Sequence, residues 1–463
     1  MLNESINNAE LSQHNEIKQH SVYIAETLKL SLPLIVSNLL SILITFLSVL
    51  MLGKLGGIDL AASALITSSQ STIFVICMGM LFAISVMVGH AYGAKNHYEI
   101  GSIMQQGYLL ALLLSIPLIL ILWNIGSILL FFKQPPELII YIKNYFHAFC
   151  WGIPAMLCGI SSIQFMMGYG KRIAIILISL INLLLIIGIG STLIFGRFGF
   201  PQLGMTGLGY AWSIQSWLVV SGFFLFLFFS KQFKACELFN LRINKTFHIL
   251  KKLLQIGWPI CMQMGCELII FFAVTIMAGW ISADTLAARQ ISVQYTLLMI
   301  LPLLAISQAS GVLVSRAMGA KRPQDVKHYG NYAVLLGLII SGIICVIFLL
   351  FPHRLAGLFV NSDLPENNNI IHLSVILLII AAIGQIIDGV RNVFTGALRG
   401  LYDTKFPMKV SFLSMWIIGL PLAYILAFPL HMGIIGLSIA FNISVAIGAI
   451  ILYYRWRKKS AFR

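Results

Sequence analysis

Twelve apolar runs recur along the chain, near residues 30-52, 62-88, 106-128, 140-165, 173-195, 206-229, 253-280, 286-313, 332-352, 371-398, 408-429 and 433-454. At about 1.5 Å per residue, each reaches across the roughly 30 Å of a bilayer's hydrocarbon. In lipid a backbone N–H or C=O finds no water, so a spanning segment satisfies its polar groups either within itself, as a helix, or with neighbours in a closed barrel. The runs are solidly apolar and lack the short alternating pattern of barrel strands, which selects helices. Composition agrees: with 59% hydrophobic and only 10% charged residues, the chain has too little polar surface for a fold in water. The expected fold is an all-α integral membrane protein with 12 transmembrane helices. The polar first 29 residues read as a tail ahead of the first run.

The formal net charge of +15 is informative mainly through its placement. When the stretches between runs are assigned alternately to two sides, the starting side holds 23 Lys and Arg, the opposite side holds six, and Arg391 lies inside a run. This positive-inside asymmetry places both termini in the cytoplasm. It also accounts for the basic stretches as membrane-surface anchors, leaving no role for nucleic acid. Cys77, Cys150, Cys158, Cys261, Cys266 and Cys345 fall within apolar runs, at spacings that suit neither a metal set nor a disulfide framework, and read as packing residues.

The chain also repeats itself. SLPLIVSNLLSILITFLSVLMLGKLGGIDLAASALI, from residue 31, overlays GWPICMQMGCELIIFFAVTIMAGWISADTLAARQIS, from residue 257, so that Pro33 meets Pro259 and Gly53 meets Gly279 at an offset of 226. The offset persists to VGHAYGAK at 88-95 against VSRAMGAK at 314-321, and Gly204 and Gly207 meet Gly433 and Gly436 at an offset of 229. Two six-helix lobes follow. Because six is even, both enter the membrane from the same side, as parallel repeats around a central cleft. The expected organisation is a cytoplasmic tail (1-29), a first lobe (30-229), a basic linker (230-252), a second lobe (253-454) and a basic tail (455-463).

Most of the 15 acidic residues lie in the tail or in loops, Glu237, Asp363 and Glu366 among them. Two lie deep in runs. Glu267 is about 20 Å by helical rise from the Trp280 end of its helix, and Asp388 is about 16 Å from Arg399. An ionisable group at that depth costs at least ~2.5 kcal/mol, which marks it as a site for a coupling ion or cationic cargo; the competing role is a buried ion pair between Asp388 and Arg391 at i,i+3. Arg391 is expected to hold Asp388 ionised. Glu267, whose polar neighbour in sequence is Gln263, is expected to be set by burial and to bind and release a proton. Gln385, Asp388, Asn392 and Thr395 fall on one polar stripe of a helix, and Gln263, Glu267 and Phe271 on another. Phe271, Phe272, Tyr295, Phe394 and Trp416 are aromatic candidates to face a flat cation.

The stretches GKLGGIDLAASALI, VGHAYGAK, FGFPQLGMTGLGYA, LAARQISVQ and GQIIDGVRNVFTGALRGLYDTKFP resemble the MATE (multidrug and toxic compound extrusion) transporters, the NorM-type branch above all. The resemblance covers about residues 25 to 455. It implies a secondary antiporter, not an enzyme, that exports amphipathic, often cationic drugs in exchange for sodium ions or protons. It also implies a multi-pass monomer in the bacterial plasma (inner) membrane with no cofactor besides the coupling ion. Glu267 and Asp388 match the family's coupling acids, and they would ligate sodium if sodium is the coupling ion. Gln290 matches a glutamine lining the cavity. The first lobe departs from the pattern. Ser48 stands where relatives often carry an aspartate, Asn182 sits one or two turns too early for the family's asparagines, and Arg391 occupies a position that is often neutral.

A flippase for lipid-linked sugars, from the same broader superfamily, is the alternative reading, and it would call for a cationic cavity to hold phosphates. An integral membrane enzyme would need a clustered catalytic set such as HxxxD, and a channel would need repeated filter sequences; neither is present in the sequence.

Overall fold

The structure, a computed structural model, describes residues 2–55, 57–131, 136–236, 243–359 and 368–461. Glu237, Asp363 and Glu366 lie outside the described residues. Among the described residues there is no strand, and the long helices are α1 (Leu2–Gly53), α2 (Gly57–Gly93), α3 (His97–Trp123), then, after the short α4 (Ile125–Phe131), α5 (Pro136–Cys150), α6 (Ile153–Tyr169), α7 (Arg172–Phe195) and α8 (Gly204–Phe229). The second series is α9 (Ile243–Ile281), α10 (Ala283–Gly319), α11 (Pro323–Leu350), the short α12 (Pro352–Gly357), α13 (Asn368–Gly400), α14 (Lys405–Ser411), α15 (Leu420–Ala427) and α16 (Gly433–Ser460). Eleven spans are long and apolar enough to cross a membrane, and the bent pair α5 and α6 makes up a twelfth. The first helix extends back to Leu2, so the stretch expected as a tail continues the first span as helix.

The chain divides into two compact units, Pro33–Gly265 on one hand and Cys266–Arg463 with Met1–Leu32 on the other. Each carries the same local devices at matching positions. After α2, the amide of Ala94 bonds to the His90 carbonyl and that of Asn96 to Ala91, both at 2.9 Å, which turns the chain through Lys95 at φ 56°. After α10, the amides of Ala320 and Arg322 repeat this on Arg316 and Ala317 at 2.9 and 3.0 Å, through Lys321 at φ 56°. A non-glycine in the left-handed region is uncommon, and here it occurs twice, 226 residues apart.

The fourth span is broken, where one continuous run was expected at 140-165. Its two halves are bent by 59°. Pro154, near the start of α6, has no N–H for the Cys150 carbonyl, so the ladder stops there. The loss is made good by α8. Ser213 Oγ donates to the carbonyls of Ala148 at 2.7 Å and Phe149 at 3.2 Å, and Trp217 Nε1 donates to Trp151 at 3.0 Å. Gly152 permits the approach, since a Cβ there would stand 2.5 Å from Ser213 Cα.

In the unit that holds Cys266–Arg463, α13 is the central helix, packed along α10, α11 and α16. Its fit against α10 depends on Gly396 and Gly400, a small-xxx-small pair that lets two backbones approach. A Cβ on Gly396 would collide with the Ser307 carbonyl, and one on Gly400 would stand 2.6 Å from the Gly311 carbonyl oxygen and 2.9 Å from Val314 Cβ. The first repeat does the same: a Cβ on Gly168 of α6 would stand 2.7 Å from the Ser85 carbonyl oxygen and from Val88 Cβ on α2. Gly400→Val is expected to destabilise by about 1–3 kcal/mol or more through overpacking. Thermal unfolding in detergent should show a lowered Tm, whereas Gly342→Ala on α11, whose new Cβ meets nothing within 4 Å, should leave Tm unchanged or raised.

Candidate functional site

Three helical segments meet in the unit that holds Cys266–Arg463, two of them bringing charges and the third a serine hydroxyl. Arg391 on α13 is buried, with 3% of its surface exposed. Its Nε donates to Asp388 Oδ1 at 2.8 Å, along its own helix, and its Nη1 donates to Glu267 Oε1 on α9 at 2.7 Å. Ser411, the last residue of α14, donates its hydroxyl to the same Glu267 oxygen at 3.1 Å and lies 3.4 Å from Arg391 Nη1. Asn392 Nδ2 donates to Asp388 Oδ2 at 2.9 Å. One planar guanidinium thus serves two carboxylates from two helices, a task that suits its rigid fork of donors.

The backbone around Ser411 is irregular. Directly after it, residues Phe412–Gly419 form a π-helical stretch before α15 resumes. Single π turns mark places where a helix is re-registered, frequently at functional sites. From this stretch Trp416 donates Nε1 to the Cys266 carbonyl at 3.3 Å, which ties it to α9 one residue from Glu267.

Arg391 pairs with Asp388 as its i,i+3 spacing suggests. The expected isolation of Glu267 is not found, because the basic partner that sequence proximity lacks arrives through the fold, 124 positions away. Glu267 and Asp388 therefore share one cation and do not have unlike surroundings. Arg399, two turns along α13, also lies within electrostatic reach of Glu267. Gln385 and Gln263 are buried on the same helices, one turn from the acids, and Gln385 Nε2 has no hydrogen-bond partner among the described residues. Thr395 donates to the Arg391 carbonyl at 2.9 Å, within its own helix.

The aromatic candidates separate. Phe271 is half-buried, edge-on to Phe441, with its ring 5.3 Å from the Arg289 guanidinium. Tyr295 is a packing residue and not part of this group. Its hydroxyl is used by the Leu355 carbonyl at 2.8 Å and its ring sits between Phe348 and Phe359. Phe394 is buried against Tyr453, Phe272 is exposed, and Gln290 is exposed on α10 without joining the charged group. One member was missed in the sequence: Ser411 carries no local signal. Arg289, a base inside an apolar run, is legible there as a candidate for a cationic cavity, and the structure sets it against Thr275 and Phe271.

Among the described residues the first repeat holds no counterpart of this group. Ser48 Oγ donates to the Ile44 carbonyl of its own helix at 2.8 Å, and the Asn182 side chain accepts from Gln215 Nε2. A model of the MatE family matches residues 33–192 and, a second time, residues 259–425. The chain belongs to the MatE family. The two MatE matches begin 226 residues apart, the offset at which the sequence overlays itself. Among MatE relatives, the probable multidrug resistance protein NorM of Brucella suis is 31% identical over 436 residues, covering 94% of this chain and 93% of the relative. The multidrug resistance protein NorM of Burkholderia vietnamiensis is 31% identical over 448 residues, 96% of this chain and 95% of the relative. The crystal structure of the Vibrio cholerae MATE transporter VcmN in its bent form has the same fold, with a TM-score of 0.83 at 17% identity over 96% of this chain and 98% of that one. The 12-helix, two-lobe, all-α membrane fold is that of the family.

Removing one partner of a buried ion pair leaves an uncompensated charge and typically costs about 3–5 kcal/mol. Arg391→Met is therefore expected to lower the unfolding temperature in detergent far more than Ser411→Ala, which removes a neutral donor. Adding Glu267→Gln to Arg391→Met should recover part of the loss, and strict additivity of the two single effects would contradict a direct pair.

Proposed function

We propose that the protein is a secondary active multidrug efflux antiporter, not an enzyme, which exports amphipathic organic cations in exchange for protons or sodium ions by alternating access of its two lobes. The observation that carries the reading is the pair of carboxylates, Glu267 and Asp388, held inside membrane spans against a single guanidinium. In hydrogen-bond contact these are two negative charges and one positive. Uptake of one proton, or of one cationic guest, brings the group to neutrality, and a site that binds either one but not both is the elementary requirement of exchange. The names of the NorM relatives support multidrug cargo. Between the two coupling ions, the proton is favoured: Arg391 already stands between the carboxylates, where a shared sodium ion would have to be ligated. Glu267 and Asp388 remain the sodium ligands if sodium is used.

A flippase for lipid-linked sugars would need a set of basic groups gathered to take phosphates, whereas Arg391 is committed to two carboxylates and Arg289 stands as a single base. The lobe boundaries proposed from the sequence, near 30-229 and 253-454, serve as the moving bodies. The 23 to six division of basic residues supports a multi-pass protein of the bacterial inner membrane with both termini in the cytoplasm, and the proposed working form is a monomer.

Vesicles loaded with a fluorescent organic cation and energised in turn by a pH gradient and a sodium gradient test the exchange. Glu267→Gln and Asp388→Asn, which keep shape and remove charge, should each abolish gradient-driven efflux while the protein stays inserted; near-normal transport by both would refute the coupling role. Orientation is checked separately. Tags at either terminus should stay inaccessible from outside intact cells, and a cysteine introduced near Asn367, which lies outside the described residues, should be labelled; external labelling of a terminal tag would reverse the topology.

A further inference from the structure

Arg289 lies in the membrane-spanning part of α10, yet among the described residues no carboxylate is within salt-bridge distance of it. Its Nε donates to Thr275 Oγ1 on α9 at 3.2 Å, and its guanidinium carbon stands 5.3 Å from the centre of the Phe271 ring. Both terminal NH2 groups meet no acceptor among the described residues. A guanidinium with unused donors is costly at membrane depth unless something polar comes to meet it.

The side chain is not reaching for the membrane surface. α9 ends at Ile281 and α10 begins at Ala283. Thr275 and Arg289 therefore lie level, each about 9 Å in from that end, and Phe271 lies one turn deeper. Side chains lean toward the N-terminus of their helix, which for α10 is the near membrane face. Arg289 instead leans inward, onto the face of Phe271, the opposite of a snorkelling arginine. The ring supplies part of the attraction.

Glu267, Phe271 and Thr275 recur at four-residue steps, so they form one stripe along α9. One end of the stripe carries the carboxylate pair with Arg391. The other end, about 12 Å away by helical rise, carries Arg289, with the half-buried Phe271 ring between them.

We infer that this stripe is a two-ended site in which Arg289 takes an anionic group, a carboxylate, on a guest whose cationic group goes to Glu267 and Asp388. Arg289 is then a specificity-determining residue: it raises the preference for guests that carry a carboxylate over otherwise similar guests that do not. The guest's flat apolar body lies along Phe271. The inference rests on the efflux reading above, and its test separates the two.

Rhodamine B is a zwitterion with a free carboxylate, and its ethyl ester is a cation of nearly the same shape. Initial rates of uptake into inside-out vesicles, energised by a proton gradient and in parallel by a sodium gradient, give a KM for each dye. In Arg289→Gln the KM for rhodamine B should rise about tenfold more than the KM for the ester, the scale of one charge-assisted hydrogen bond. Arg289→Lys, which keeps the charge without the fork, should fall between Arg289→Gln and the natural chain. Thr275→Val, which unhooks Nε but leaves the cation, should move the ratio in the same direction by less. An equal change for both dyes in Arg289→Gln, or no change for either, would overturn the inference while leaving the efflux reading intact. Transport of neither dye by the unaltered protein would overturn both.

Discussion

The guanidinium of Arg391 makes two short contacts at once, to Glu267 and Asp388, and much of the surrounding structure is arranged to permit this. Taking one charge out of water costs several kcal/mol even after relaxation, and three are withdrawn here, so attraction returns the cost only where geometry is close and the remaining lone pairs are satisfied. The contacts at 2.7 and 2.8 Å meet the first condition, and Ser411 and Asn392 help to meet the second. Through these contacts α9 is joined to α13 and to the end of α14, and the π-helical stretch begins immediately after Ser411. On the other side of Arg391 lies Gly448 of α16, where a Cβ would touch Arg391 Cδ at an ordinary 3.5 Å and Ser414 Oγ more tightly, at 3.2 Å.

The same pressure to answer polar groups in hydrocarbon shapes much of the rest at lower stakes. Ser and Thr hydroxyls in the spans turn back on carbonyls of their own helix, as Ser162, Thr296 and Ser341 do four residues back. Where the backbone itself is broken, at Gly152, a serine and a tryptophan from α8 supply the missing donors. With little hydrophobic force between helices in lipid, close packing holds them together, and glycines at 168, 396 and 400 make that packing close.

The spans and the repeat were legible in the sequence because they follow from local length and from residue identity at a fixed offset. Hydrocarbon thickness sets how long an apolar run must be, and a run of that length is visible without knowing its neighbours. The Asp388–Arg391 pair was legible for a similar reason, since i,i+3 partners share a helix face. Glu267 was not, because its partner lies on another helix and no spacing reports it. Tyr295 misled because a ring at membrane depth looks alike whether it lines a cavity or a core; the difference is the Leu355 carbonyl, again a distant contact. The break in the fourth span was obscured because its two halves are together apolar enough to read as one.

The two repeats share a scaffold and differ in charge, and the difference has a physical logic. At the offset of 226, Glu267 corresponds to Ser41; at the offset of 232 that relates Gly168 to Gly400, Asp388 corresponds to Met156 and Arg391 to Gly159. None of the three is charged. Ser41 answers its own hydroxyl with the Ser37 carbonyl at 3.0 Å and needs nothing from another helix. A single one of the three charges, or both carboxylates without Arg391, would leave buried charge uncompensated at about 3–5 kcal/mol, a large part of the stability of a whole domain, whereas Arg391 with one carboxylate is a neutral pair. An acid in the first repeat without a base beside it, or a base without an acid, is therefore the costly arrangement, and the first repeat carries neither at these positions. The glycine contacts carry no such condition, because each is satisfied by shape alone, and so the packing can be the same in both repeats while the chemistry resides in one.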